Sequence, residues 1–144
     1  MKRTLVIGIG NTIRGDDGVG IRVAEQLAER YTGFDVLCVH QLSPEHAETV
    51  AHYDRVVIVD ASVATNVLRV TPLHAAAGTR LPRTHDVSPA GILALAAALY
   101  QHTPSETVLV EVPASACDFS EQLSSPTAAL VEETIDVVAH YVTG

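Results

Sequence analysis

The chain has no tryptophan, and aromatic residues make up only 4% of its 144 positions. It therefore lacks the platform on which nucleobases stack. Lys2 is the only lysine, and 9 basic residues face 17 acidic ones for a formal charge of −8. No Lys/Arg cluster offsets this. Such a surface repels a phosphate backbone and an anionic membrane alike, so neither nucleic acid nor membrane is expected as a partner. No stretch reaches the roughly 18 apolar residues of a membrane span. The apolar run after Met1-Lys2-Arg3 is too short for a signal peptide and ends in glycines and charges. The expected location is cytoplasmic. Two cysteines, Cys38 and Cys117, do not make a disulfide framework. Cys38 falls inside an apolar run and is expected to be a buried small hydrophobe. Cys117 falls in a loop.

What is present is an ordinary globular composition, 47% apolar and 18% charged, at a length that suits one domain, 1–144. Two hydrophobic periods alternate along it. Short branched runs at Thr4–Ile9, Asp35–Val39, Arg55–Val59 and Thr107–Val112 read as strands, with a further one at Val67–Val70. Stripes at helical spacing cover Gly18–Tyr31, Pro44–Tyr53, Pro89–Tyr100 and Pro126–Tyr141, the last three opened by Ser-Pro pairs that suit an N-cap and first helical position. This alternation predicts a three-layer α/β/α domain with a mostly parallel twisted sheet of about five strands. In such sheets the functional site lies beyond the carboxyl ends of the strands, at the switch point.

The loop after the first strand reads Gly8-Ile9-Gly10-Asn11-Thr12-Ile13-Arg14-Gly15-Asp16-Asp17-Gly18-Val19-Gly20. Ile13 stands where a dinucleotide fingerprint needs its third glycine, and no lysine follows as in a phosphate-binding loop. Asp16 and Asp17 would repel phosphate from the helix start, yet they suit a cation. The plainer alternative is that one of them is an N-cap. Asp60 closes the run Val56–Val59, where a carboxylate pays desolvation unless something pairs with it. The plain alternative there is a carboxylate capping a nearby loop or helix. His85 precedes the Ser88-Pro89 helix start, and neutral imidazole is the commonest metal ligand. His40 is the other histidine near the predicted site, while His46, His52, His74, His102 and His140 read as bystanders. Asp86 is a candidate partner of His85 or a helix-start residue. Two carboxylates and an imidazole form a ligand set suited to a divalent transition metal with open positions. There is no His-Glu-x-x-His helix, no Gly-x-Ser-x-Gly elbow, and no cysteine paired with a base.

Val6-Ile7-Gly8-Ile9-Gly10-Asn11 followed by Asp16-Asp17-Gly18-Val19-Gly20 closely resembles the opening signature of the hydrogenase maturation proteases. Ile58-Val59-Asp60-Ala61 is similar to that family's second motif, and Thr84-His85 to its third. Glu111-Val112-Pro113 and Leu123-Ser124-Ser125-Pro126 are similar to its final strand, loop and helix. The resemblance implies an endopeptidase that removes the C-terminal extension of a nickel-iron hydrogenase large-subunit precursor after nickel insertion. It places the metal ligands on Asp17, Asp60 and His85, with Asp16 as the other candidate in the first motif and a possible general base. The resemblance also implies that the nickel belongs to the substrate, so that the free enzyme, expected as a monomer, can be metal-empty. Many members carry Glu where this chain has Asp17, Gly where it has Ser88, and Asp-Gly-Gly where it has His40-Gln41-Leu42. Competing readings are a non-catalytic binder of the same precursor, a nucleotide-binding Rossmann-like module, and a peptidyl-tRNA hydrolase-like enzyme, the last disfavoured by the missing basic surface.

Overall fold

The computed structural model describes residues 2–75 and 87–143. Five strands form one sheet: β1 (Thr4–Ile9), β2 (Asp35–Val39), β3 (Arg55–Ser62), β4 (Arg69–Leu73) and β5 (Glu106–Pro113). Their spatial order is β2-β1-β3-β5-β4. All neighbours pair in parallel except β4, which runs antiparallel to β5. The sheet is thus mostly parallel, as the alternating periods imply, and its one reversed strand lies at the edge. Pro72 in β4 is tolerated there because an edge strand has a pairing partner on one side only.

Helices α1 (Val19–Arg30), α2 (His46–Ala51), α3 (Pro89–Tyr100), α4 (Ser125–Ala128) and α5 (Val131–Thr143) cover both faces. The alternation of side chains along each strand divides the core in two. Val6, Val57, Val59, Val108, Val110 and Val112 pack against α1 and α5. Leu5, Ile7, Ile9, Val56 and Ile58 pack against α2 and α3. The interior strand β1 is buried at every position, which is why it reads as a continuous apolar run rather than an alternating one.

Several boundaries differ from the sequence reading. The first helix stripe begins with a single 3-10 turn at Gly15–Gly18, and α1 proper starts at Val19. The second helix covers His46–Ala51, and Pro44 lies in the turn before it. The last stripe is broken into α4 and α5. Ser88 caps α3 as its Ser-Pro pair implies, accepting the Gly91 N–H at 3.0 Å. Ser124, not Ser125, is the residue before α4. Cys38 is exposed, not buried: β2 is the edge strand opposite β4, so its outer flank has no neighbour to cover it. Among the described residues, no helix is long and apolar enough to cross a membrane.

The glycines of the first motif serve backbone packing. A Cβ on Gly20 would collide with the carbonyl oxygens of Val59 and Ile9, so the start of α1 sits directly on the carboxyl ends of β1 and β3. Gly10, at φ +151°, leaves room for the Asp17 carbonyl in the same way. Gly20→Ala should therefore destabilise the chain by more than ~2 kcal/mol. The gain in helix propensity, about 1 kcal/mol, is smaller than the cost of moving α1 off the sheet. A urea midpoint equal to or above that of the unmodified protein would refute this close approach.

Candidate active site

The switch point of the sheet lies between β1 and β3. The chain leaves β1 for β2 on one side and later returns through α2 to β3 on the other. The loop after β1 and the end of β3 meet there, and they carry Asp16, Asp17 and Asp60.

Asp60 does not close β3 but lies within it, two residues before its end. It pairs in register with Glu111 of β5. By strand alternation both side chains lie on the α2/α3 face, since Val59 and Val110 face the other core. Asp60 Oδ1 accepts the N–H of Ala61 at 2.8 Å. Burial raises the Asp60 pKa to about 6, assisted by the charges of Asp17 and Glu111 and opposed by the Ala61 hydrogen bond. Two carboxylates, Asp17 and Glu111, thus act on a third, Asp60, at the switch point. Such crowding is favourable only when a cation, or a proton, is shared among them.

Asp17 is partly buried, and its Oδ2 accepts the Asn11 N–H at 2.9 Å. It is no N-cap. Neither aspartate caps a helix, because Gly18 precedes α1 and Arg14 precedes the 3-10 turn, each without a side-chain cap. Asp16 has a different environment although it is the next residue. It is fully buried, and its carboxylate accepts five hydrogen bonds. These come from the N–H groups of Ser115 and Ala116 at 2.9 Å and of Ser124 at 2.7 Å, and from the hydroxyls of Ser124 at 2.7 Å and Ser115 at 3.4 Å. Burial alone would raise its pKa, but the Ser115, Ala116 and Ser124 bonds outweigh it and hold the group well below the usual carboxylate range. The Asp16 N–H in turn donates to the Ala116 carbonyl at 2.8 Å. Asp16 therefore ties the 114–124 loop to the floor of the site, and its oxygens are taken up in doing so.

That loop brings Cys117 beside Asp17. Burial raises the thiol's pKa, and the charges of Asp17 and Asp16 raise it further, which keeps it a thiol at neutral pH. Glu111, Ser115, Cys117 and Ser124 were not singled out as site residues from the sequence. The first is recognisable only once the β3–β5 register is known, and the others only once the loop is folded back about 100 residues along the chain. His85 and Asp86 lie outside the described residues. Val87, the first described residue after them, is buried in the core on the α2/α3 face, the face of Asp60. His40 is exposed at the end of β2, across β1 from Asp60. Among the described residues, no group of three or more His, Cys, Asp or Glu side chains is arranged to hold a metal ion.

An open, mostly parallel sheet with helices on both faces and carboxylates at its switch point defines a doubly wound α/β protein. No protein-family model matches the chain. It is 30% identical to the hydrogenase expression/formation protein HupM of Azotobacter chroococcum mcd 1, over 92% of this chain and 68% of that protein. Among solved structures it is similar to the hydrogenase maturating endopeptidase HybD from E. coli, with a TM-score of 0.76, 22% identity, and 98% and 92% of the two chains covered. It is also similar to the [NiFe] hydrogenase maturation protease HycI from Thermococcus kodakarensis KOD1, with a TM-score of 0.70, 25% identity, and 99% and 94% covered. The chain belongs to the hydrogenase maturation protease family.

Proposed function

We propose that this chain is the endopeptidase that trims the C-terminal extension from a nickel-iron hydrogenase large-subunit precursor. The observation that carries this reading is the carboxylate pair Asp17 and Asp60 at the switch point, close enough for one charge to raise the pKa of the other. His85 completes the ligand set; Val87, two positions later in the sequence, is buried on the face that bears Asp60.

In this reading the nickel is part of the substrate. Asp17, Asp60 and His85 dock onto it and so place the scissile peptide against the site. The metal supplies Lewis acidity toward the peptide carbonyl and toward an attacking water. The chain's own residues supply position and charge. Asp16 holds the loop that forms one wall, and its fully engaged oxygens make it a positioning residue rather than a base. Glu111, beside Asp60, is the carboxylate best placed to take a proton once Asp60 is committed to the metal.

Around the site the protein presents exposed apolar side chains to a partner. Ile13, Val63, Val67 and Phe119 are between 47% and 80% exposed, and all four lie on loops beyond the carboxyl ends of the strands. Single exposed apolar residues are common, but four around one edge suit a protein surface. The test is a gel shift of the large-subunit precursor. Nickel-loaded precursor should lose its tail, nickel-free precursor should stay intact, and His85→Ala should leave both intact. Equal cutting of loaded and nickel-free precursor would rule out docking through the metal.

A further inference from the structure

A cavity of about 390 Å³ opens beside the carboxylate cluster but is not part of it. Its walls are mainly apolar, formed by Val63, Pro113, Ala114, Pro126 and Leu130 with Thr65, Asn66, Ser115 and Thr127 between them, and among the described residues no charged side chain lines it. The topology explains why it is there. The segment from β3 to β4 must cross the end of β5, because β5 lies between those two strands. Residues 63–68 therefore arch over Pro113 and Ala114, and α4 closes the other side. Below the arch the Ala114 N–H donates to the Ser62 carbonyl at the end of β3 at 2.9 Å, and Thr127 Oγ1 of α4 donates to the Pro113 carbonyl at 2.9 Å.

One residue links the cavity wall to the acidic loop of the candidate active site. Ser115 lines the cavity, and the same residue donates its N–H to Asp16. Val63 lies three residues beyond Asp60, a separation of roughly 10 Å at strand rise. An extended peptide that starts at the carboxylate cluster and crosses the carboxyl edge of the sheet covers that distance in about three residues.

We propose that this cavity is a specificity pocket that takes an apolar side chain of the substrate's C-terminal tail, two to four residues beyond the scissile bond. The assignment rests on the endopeptidase reading above and gives it a sequence preference. A pocket with apolar walls and no counter-charge strips water from whatever enters it, so it accepts Val, Leu, Ile or Met and rejects Asp or Lys. The tail side is favoured over the body of the precursor because the metal anchors the body at Asp17 and Asp60, and the free end must leave across the sheet edge.

The experiment uses nickel-loaded precursors whose tails carry either an apolar residue or Asp at the second to fourth positions. They are cut by the unmodified protein and by Val63→Arg. Val63 is 78% exposed, so the substitution places a cation at the mouth without disturbing the core. The unmodified protein should lose about 10–100-fold in kcat/KM on one of the Asp tails relative to its apolar counterpart. Val63→Arg should cut the apolar tail more slowly and recover much of the loss on that Asp tail. Equal rates on every tail for both proteins would overturn the pocket while leaving the endopeptidase reading intact. Failure to cut even the unaltered loaded precursor would remove that reading, and the pocket with it.

Discussion

Asp60→Asn is expected to abolish processing and, at the same time, to make the free chain more stable at neutral pH. The folded chain holds the Asp60 carboxyl at a pKa of about 6 against an ordinary 3.8, because of burial and the charges of Asp17 and Glu111. A folded pKa above the unfolded one means that the fold favours the protonated form. The contribution of this group is therefore most favourable below about pH 4. It declines between about pH 4 and 6, and above about pH 6 the ionised group carries its full cost of up to about 3 kcal/mol. Asparagine keeps the acceptor that receives the Ala61 N–H but carries no charge. Thermal melts should show Asp60→Asn several degrees above the unmodified protein at pH 7.5 and level with it at pH 4. Cleavage of the loaded precursor should fall by more than ~100-fold, since partners outside the ligand shell alone cost 10–100-fold at metal sites. A variant less stable than the parent at pH 7.5 would show that the crowding at the switch point is already relieved in the free chain.

Asp16→Ala is expected to do the opposite to stability, although the two aspartates differ by no more than their surroundings. It removes the acceptor of five hydrogen bonds and leaves the N–H groups of Ser115, Ala116 and Ser124 facing a gap. Donors stranded in this way cost ~1–3 kcal/mol each, and their sum is less than additive, so a loss of about 3–5 kcal/mol is expected in urea unfolding. The sign with pH is also reversed. The depressed Asp16 pKa contributes stability that is complete above about pH 4 and is lost as pH falls through the folded value. The unmodified protein should thus weaken in acid, and Asp16→Ala should weaken less over the same range. Asp17→Ala should stop processing with little change in the urea midpoint. If Asp16→Ala kept the parental stability but lost all cleavage, Asp16 would belong to the ligand set and not to the scaffold.

The sequence by itself determined the layering. Val6-Ile7 and Val56–Val59 are apolar at consecutive positions, which a strand allows only if both its faces are covered, and the helical stripes between them supply the cover. It also located the acidic loop and Asp60, because a carboxylate set among apolar strand residues stands out without coordinates. The tertiary structure decided what two adjacent aspartates do. Local sequence gives Asp16 and Asp17 the same prospects. They differ because the loop 114–124 returns across about 100 residues to surround one of them with hydrogen-bond donors, and leaves the other with the Asn11 N–H and near enough to Asp60 for its charge to be felt there. The partnership of Asp60 with Glu111, the exposure of Cys38 and the cavity under residues 63–68 likewise follow from strand order. That order is set by which strands pair across the whole chain, and the periodicity of any single segment carries no record of it.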